Sequence, residues 1–215
     1  MSTKNKSSIS EAHLTSAEKA MKDARWFDAE RDALAALDSA IQAGLHELAA
    51  DAILPLQEAR RQRMLMAIDA TEGGEPRVLD QVDSELESVE PGVHLLVPQA
   101  VAADARRMRI VGMQTDVPLI AVCREPLTRS GQVPIVAIGE VTVRAYVDPP
   151  ADPEVHSMEW TLGAMEALGD AAIDRLENCK DGPDRISTLR NALDSIPEHE
   201  KLHQALALEL RAAAG

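Results

Sequence analysis

"VHLLVPQAVAADARRMRIVGMQTDVPLIAVC", residues 93–123, is the stretch that decides the fold class of this chain. The runs "VHLLVP" (93–98) and "VPLIAVC" (117–123) are short and apolar, as buried strands are. The segment between them, "QAVAADARRMRIVGMQ" (99–114), has the length and composition of a helix. Strand, helix and strand within about 30 residues indicate a β-α-β crossover, in which a helix joins two parallel strands.

Two further strand-like runs follow this unit. "VPIVAIG" (133–139) is apolar throughout, and "EVTVRAYV" (140–147) alternates apolar with polar residues, as a half-exposed strand does. The two runs meet at Gly139 and Glu140, so we expect them to pair as a hairpin around these residues. The segment "DPPADPE" (148–154) then indicates a linker.

Helical periodicity dominates both flanks. It extends from Ser10 to about Ala70, with Gly44 at a helix end and Pro55 as a kink or a new helix start. "RVLDQVDSELESVE" (77–90) has the pattern of a short acidic amphipathic helix. The C-terminal part predicts helices at about 155–179, 184–196 and 198–213.

The predicted fold class is therefore α+β, with helical hairpins at both ends and a small inserted mixed α/β unit (β-α-β plus hairpin). The expected organisation is a disordered N-terminus at 1–9, N-terminal helical hairpins at 10–90, the α/β unit at 91–150, and C-terminal helices at 151–215 that pack on the N-terminal ones.

Composition excludes several classes of function. The net charge of −14 argues against binding to nucleic acid or to anionic membranes, which both require an excess of Lys and Arg. No apolar run is long enough to span a bilayer, and "MSTKNKSSIS" lacks the apolar core of a secretory signal. Only Cys123 and Cys179 are present, so we expect a reducing, cytoplasmic setting and no disulfide framework.

The N-terminal helices resemble a tetratricopeptide repeat at about residues 10–43. The residues at the family's characteristic positions are Ala17, Ala20, Trp26, Ala29, Ala33, Ala36 and Leu37, although Ile41 stands where the repeat closes with proline. The end of the motif recurs at 189–197, in Leu189, Ala192, Leu193 and Pro197, whereas Gly182 and Arg185 depart from its earlier positions. The resemblance implies a helical surface that binds protein segments.

One stretch resembles the catalytic loop of cysteine-dependent phosphatases. "CREPLTRSG" (123–131) has the C-x5-R spacing, which would make Cys123 the nucleophile and Arg129 the phosphate ligand. Several features oppose this alternative: Pro126 removes a backbone N–H, Glu125 would repel a dianion, and a strand rather than a helix follows the loop. The other interpretation makes Cys123 a small buried residue at a strand end.

"HEKLH" (199–203) matches the H-E-x-x-H motif of zinc peptidases. On a helix, His199 and His203 share one face, and Glu200 would be the general base. The short remaining chain supplies no evident third ligand, and Glu209 points to another side of the helix. The simpler interpretation is a solvated helix start after Pro197.

The central segment is set apart by its charge. Residues 91–150 carry a net charge of +1 against −8 for 1–90 and −7 for 151–215, and all basic residues of the central segment are arginines. Arg106, Arg124 and Arg129 are candidate anion ligands because guanidinium groups bind carboxylate and phosphate well. The alternative, which we favour, is that these arginines face the acidic helices of the flanking segments.

We expect an interaction or scaffold protein rather than an enzyme. Its helical surface would bind a protein partner or a second copy of the chain, without a cofactor. The first alternative is an anion- or phosphate-directed enzyme that uses Cys123 and Arg129, and the second is a zinc hydrolase that uses His199 and His203.

Overall fold

The computed structural model of this protein describes residues 3–152, 155–179 and 181–215. It divides into two compact units, each made of separate chain segments. We call the first the helical unit (Met1–Arg63, Leu176–Arg190 and Glu200–Gly215) and the second the sheet unit (Met64–Arg175 and Asn191–His199). Residues 1, 2, 153, 154 and 180 lie outside the described part of the chain. Residues 1 and 2 belong to the predicted disordered N-terminus, and residues 153 and 154 belong to the predicted linker.

The sheet unit is built on a five-stranded mixed sheet with the strands in chain order. Its strands are β1 (Arg77–Leu79), β2 (Gly92–Leu96), β3 (Leu119–Arg124), β4 (Val133–Ile138) and β5 (Thr142–Val147). β1, β2 and β3 are parallel, whereas β4 and β5 are antiparallel to their predecessors. All of β2 is buried, as a central parallel strand should be.

Two helices pack on this sheet, α4 (Ala102–Thr115) and α5 (Met158–Asp174). α4 joins the parallel strands β2 and β3, which confirms the predicted crossover. The predicted hairpin is also confirmed, because Ile138 pairs with Thr142 across a turn at Gly139–Val141. A cluster of aliphatic side chains from α4 and the strands forms a core that includes Leu96, Met108 and Leu119.

The prediction of a helix at 77–90 is wrong. Arg77–Leu79 forms β1, and residues 80–91 contain no helix. Val82, Leu86 and Val89 are partly buried and pack against the core cluster formed by α4 and the strands. Their spacing of three and four residues is typical of a helix. The start of the segment instead forms the edge strand of the sheet, because Leu79 pairs with Leu96 on β2.

The helical unit contains α1 (Thr3–Lys22), α2 (Trp26–Ala43) and α7 (Glu200–Ala214), with most of α3 (His46–Asp69) and of α6 (Gly182–Ser195). Gly44 ends α2 in the left-handed region (φ 72°), and its N–H donates to Ala40 and Ile41, which confirms the predicted helix end. α3 runs through Pro55 as one helix. Residues 3–9, expected in a disordered N-terminus, lie within α1.

The units differ in extent from the expected domains. The sheet unit takes in α5 and residues 64–90 in addition to the 91–150 segment. The helical unit combines the N-terminal helices with α7 and much of α6. The fold class itself, α+β with helices at both ends, is confirmed.

Candidate functional site

Cys123 lies in the interior of the sheet. It pairs with Leu96 on β2 and with Val136 on β4, and only 2% of its surface is exposed. Burial raises the pKa of its thiol from 9.0 to about 12, and the carboxylates of Glu125 and Asp104 act in the same direction. A nucleophilic cysteine needs a lowered pKa, so this environment favours the neutral thiol.

The loop after Cys123 is closed by hydrogen bonds of its own. The N–H of Thr128 donates to the carbonyl of Gln132, the N–H of Gln132 to Thr128 Oγ1, and the N–H of Gly131 to the carbonyl of Thr128. β4 follows at once, as the sequence predicted. These N–H groups therefore join the ends of the loop to one another instead of pointing towards a common anion.

The three candidate anion ligands lie on different elements. Arg106 is a half-buried residue of α4, Arg124 ends β3, and Arg129 is exposed in the loop. Burial lowers the pKa of Arg124, whose Nε is buried without a hydrogen-bond partner. The structure gives no contact that joins these three described side chains at one point.

Other arginines of the central segment hold the sheet unit together. Arg109 donates to the carbonyl oxygens of Ser195 and Ile138, and Arg107 Nη2 lies 2.6 Å from Asp104 Oδ1. Arg144 pairs with Glu125 at 2.7 Å. Their partners thus include backbone and neighbouring carboxylates of the same unit.

The two histidines of "HEKLH" have different partners. His199 precedes α7, and its Nε2 lies 3.3 Å from Glu166 Oε1 and 3.5 Å from Asp170 Oδ1, all within the sheet unit. His203 belongs to the helical unit, where Arg60 Nη1 donates to its Nε2 across 3.2 Å. A ring nitrogen that accepts a guanidinium proton is not free to bind a metal through that atom.

The helical unit contains a buried ionised cluster that the sequence did not predict. Glu30 on α2 accepts hydrogen bonds from Arg60 Nε at 2.9 Å and from Arg63 Nη1, and none of the three residues is more than 9% exposed. The guanidinium of Arg63 also lies 4.7 Å from the centre of the Phe27 ring. Burial alone would raise the pKa of Glu30, but the two arginines outweigh it and hold that pKa below its usual value.

The same unit has an open groove with a volume of about 420 Å³, which we call the acidic groove. Its carboxylates come from Glu11 on α1 and from Glu47 and Asp51 on α3, all on exposed residues. The last residues of α7 form another wall, where the Ala213 carbonyl lies 3.2 Å from His46 Nδ1. A helix C-terminus carries a partial negative charge, so it adds to the charge of the carboxylates.

The signal for this groove in the sequence was weak. Residues 1–90 carry a net charge of −8, but Glu11 and Asp51 are 40 positions apart. Only the packing of the helices brings them to one groove. The sequence therefore predicts the helices that carry these carboxylates, but not their convergence on one groove.

Comparison with known proteins identifies no relative of this chain. No protein-family model matches it, and no curated protein or solved structure does so. Within the described part of the chain, none of the helices combines the length and the apolar character needed to cross a bilayer.

Proposed function

We propose that this protein is a non-enzymatic interaction protein whose acidic groove binds a basic segment of a partner protein. The observation that carries the proposal is the convergence of Glu11, Glu47, Asp51 and the C-terminal end of α7 on one groove. Lys or Arg side chains, on an extended or helical segment, complement this charge.

The nature of the groove supports a polypeptide over a small molecule. Small-molecule sites are mostly apolar and enclose their ligands, whereas this groove is open and lined mainly by polar groups. The apolar residues Leu45 and Leu48 give the methylene groups of a Lys or Arg side chain a surface to pack on.

A second copy of the chain is the less favoured partner. The net charge of −14 makes contacts between acidic surfaces of two copies repulsive. The partner we propose is therefore a different, basic protein.

The α1–α2 pair supports a tetratricopeptide-like framework for this surface. Ala17, Ala20, Ala29, Ala33 and Ala36, the five alanines at family positions, are buried, and α1 packs against α2. Two free thiols, on Cys123 and Cys179, suit the cytoplasmic setting that we propose.

The test is a binding measurement with a short fluorescein-labelled peptide rich in Lys and Arg. Charge reversal by Glu47→Lys or Asp51→Lys should weaken binding by about 10-fold, because an exposed ion pair contributes up to about 1 kcal/mol and its reversal substitutes repulsion. Fluorescence anisotropy at low and high salt measures the loss, and binding should weaken as salt is added.

The matched control is Glu18→Lys, which makes the same charge change at an exposed position of α1 outside the groove. It should bind the peptide as the wild type does. If Glu18→Lys weakens binding as much as Glu47→Lys, the peptide recognises net charge only, and the proposal fails. Binding of a peptide with Gln in place of Lys and Arg would contradict it as well.

A further inference from the structure

We propose that Glu166, Asp170 and His199 form a binding site for one divalent first-row transition-metal cation. Each residue offers one ligand atom, and the three atoms lie within 4.8 Å of one another. The site belongs to the sheet unit and is separate from the acidic groove of the helical unit. It therefore goes beyond the proposed function and does not depend on it.

The two distances from His199 match the spacing of ligands around a single ion. His199 Nε2 lies 3.3 Å from Glu166 Oε1 and 3.5 Å from Asp170 Oδ1. With bonds of about 2.1 Å to Zn²⁺, neighbouring ligands on a tetrahedron are separated by about 3.4 Å. Both separations are longer than those of charge-assisted hydrogen bonds, which are about 2.7–2.9 Å.

The two carboxylates are placed by helical geometry. Glu166 and Asp170 are four residues apart on α5 and so lie on one face of that helix. Their side chains are 47% and 49% exposed, which leaves room for water as a further ligand. Three protein ligands and a water differ from the four protein ligands of a closed structural zinc site.

His199 is brought against that face by the absence of a side chain on Gly169. A Cβ at position 169 would lie 2.0 Å from His199 Cγ, so only glycine lets the ring approach α5 this closely. The imidazole has no exposed surface, which fixes the direction of its Nε2. The ligand set is therefore arranged by packing before any ion binds.

The segment that carries His199 is itself held in place. Ser195 Oγ donates to the Val141 carbonyl at 2.6 Å, and Asp194 Oδ2 accepts from the N–H of Glu140 at 2.9 Å. Both contacts tie the end of α6 to the β4–β5 turn. His199 follows four residues after Ser195, so its position is supported from within the sheet unit.

The donor set indicates the class of metal. One imidazole and two carboxylates combine a nitrogen ligand, which suits Zn²⁺, Fe²⁺ and Ni²⁺, with the oxygen ligands of harder cations. The site differs from the H-E-x-x-H hypothesis, because it shares His199 but uses α5 instead of His203. The competing interpretation is a protonated His199 that pairs with both carboxylates without a metal.

Isothermal titration calorimetry of the metal-stripped full-length protein with Zn²⁺ tests the proposal. We expect one strong site per chain. Glu166→Gln and Asp170→Asn should each weaken Zn²⁺ binding by at least about 10-fold. Changing a residue that only hydrogen-bonds to a metal ligand already weakens metal binding by about 10- to 100-fold. Both residues are half-exposed, so the variants should fold, and circular dichroism checks that they do.

Three further variants sharpen the result. Asp174→Asn, at an exposed acidic position of α5 outside the ligand set, should bind Zn²⁺ as the wild type does. His199→Gln should abolish the strong site, while His203→Gln should leave it intact. The proposal is overturned if the protein has no stoichiometric Zn²⁺ site, or if that site survives Glu166→Gln and Asp170→Asn. Loss of the site in His203→Gln, with the α5 variants unaffected, would overturn it in favour of the "HEKLH" pair.

Discussion

The interior of the helical unit contains an ionised cluster, whereas the described interior of the sheet unit contains no buried Asp, Glu, Lys or Arg. Glu30, Arg60 and Arg63 meet among helices whose contact surfaces are rich in alanine, such as the buried group Ala20, Ala29 and Ala59. The central strands of the sheet unit bury larger side chains, among them Leu95, Leu96, Ile120 and Ile135.

The difference shows two ways to stabilise an interior. Alanine lets helices approach closely but removes little apolar surface from water, so hydrophobic stabilisation per residue is small. A buried ion pair adds specific directional contacts, and removal of one partner leaves an uncompensated charge. The stability of the helical unit should therefore depend most on its buried charged side chains. The stability of the sheet unit should depend most on the close packing of its side chains.

The largest effect should follow Glu30→Ala, which leaves Arg60 and Arg63 without their carboxylate. We expect a loss of about 3–5 kcal/mol in the free energy of unfolding. Urea denaturation followed by circular dichroism measures it. Glu18→Ala, at an exposed position on α1, is the control and should change stability by less than about 0.5 kcal/mol.

The lowered pKa of Glu30 gives this prediction a pH dependence. A carboxyl whose pKa is lower in the folded state stabilises the protein above its unfolded pKa, and this stabilisation is lost as the pH falls towards its folded pKa. The difference between wild type and Glu30→Ala should therefore shrink in acid. A difference that stays constant down to low pH would contradict a stabilising carboxylate.

A smaller effect should follow Gly139→Ala, which tests shape in the sheet unit. The added Cβ would lie 2.5 Å from Asp194 Oδ2 and 2.7 Å from the Ser195 nitrogen, so the β4–β5 turn or the end of α6 must shift. We expect destabilisation of about 1–3 kcal/mol, typical of overpacking.

The paired control is Gly163→Ala on α5. A Cβ there meets nothing within 4 Å, and alanine favours the helix by roughly 0.5–1 kcal/mol. The melting temperature should therefore fall for Gly139→Ala and rise for Gly163→Ala. Equal responses of the two variants would mean that close packing at the turn does not limit stability.

The smallest effect concerns Cys123 and appears only in alkali. Its pKa is about 12 in the folded protein against 9.0 for an ordinary thiol, so its contribution to stability is complete below pH 9 and declines from there up to about pH 12. We expect the wild type to lose about 1 kcal/mol more than Cys123→Ala between pH 8 and pH 10.

Alkylation by iodoacetamide, located by mass spectrometry, provides a second measurement of the same property. Cys123 should react negligibly near pH 7 in the folded protein and readily after unfolding. A reaction that titrates below pH 7 and is protected by vanadate would instead support the phosphatase alternative with Cys123 and Arg129.

Local patterns in the sequence were sufficient for much of the fold. The β4–β5 hairpin and the end of α2 at Gly44 depend on neighbouring residues, and both were predicted. The spacing of apolar residues in 77–90 predicts a helix. In the structure, Arg77–Leu79 instead pairs with β2, which lies outside the segment and does not influence its local pattern.

The candidate sites were beyond such patterns. Glu166 and His199 are 33 positions apart, and Glu30 and Arg60 are 30 apart, with no motif that links them. The "HEKLH" motif identifies His199 as a possible metal ligand, but it pairs His199 with His203 on the same helix. In the structure, the carboxylates near His199 are Glu166 and Asp170 on α5.

The division of the helical unit into three chain segments has a consequence during synthesis. α1 and α2 leave the ribosome well before α6 and α7, yet Asp38 on α2 pairs with Arg190 on α6 through hydrogen bonds of 2.6 and 2.8 Å. Because synthesis adds about 5–20 residues per second, α1 and α2 are without these partners for on the order of 10 s. Over that interval their alanine-lined surfaces are exposed in the nascent chain, so we expect chaperone binding to the ribosome-bound intermediate.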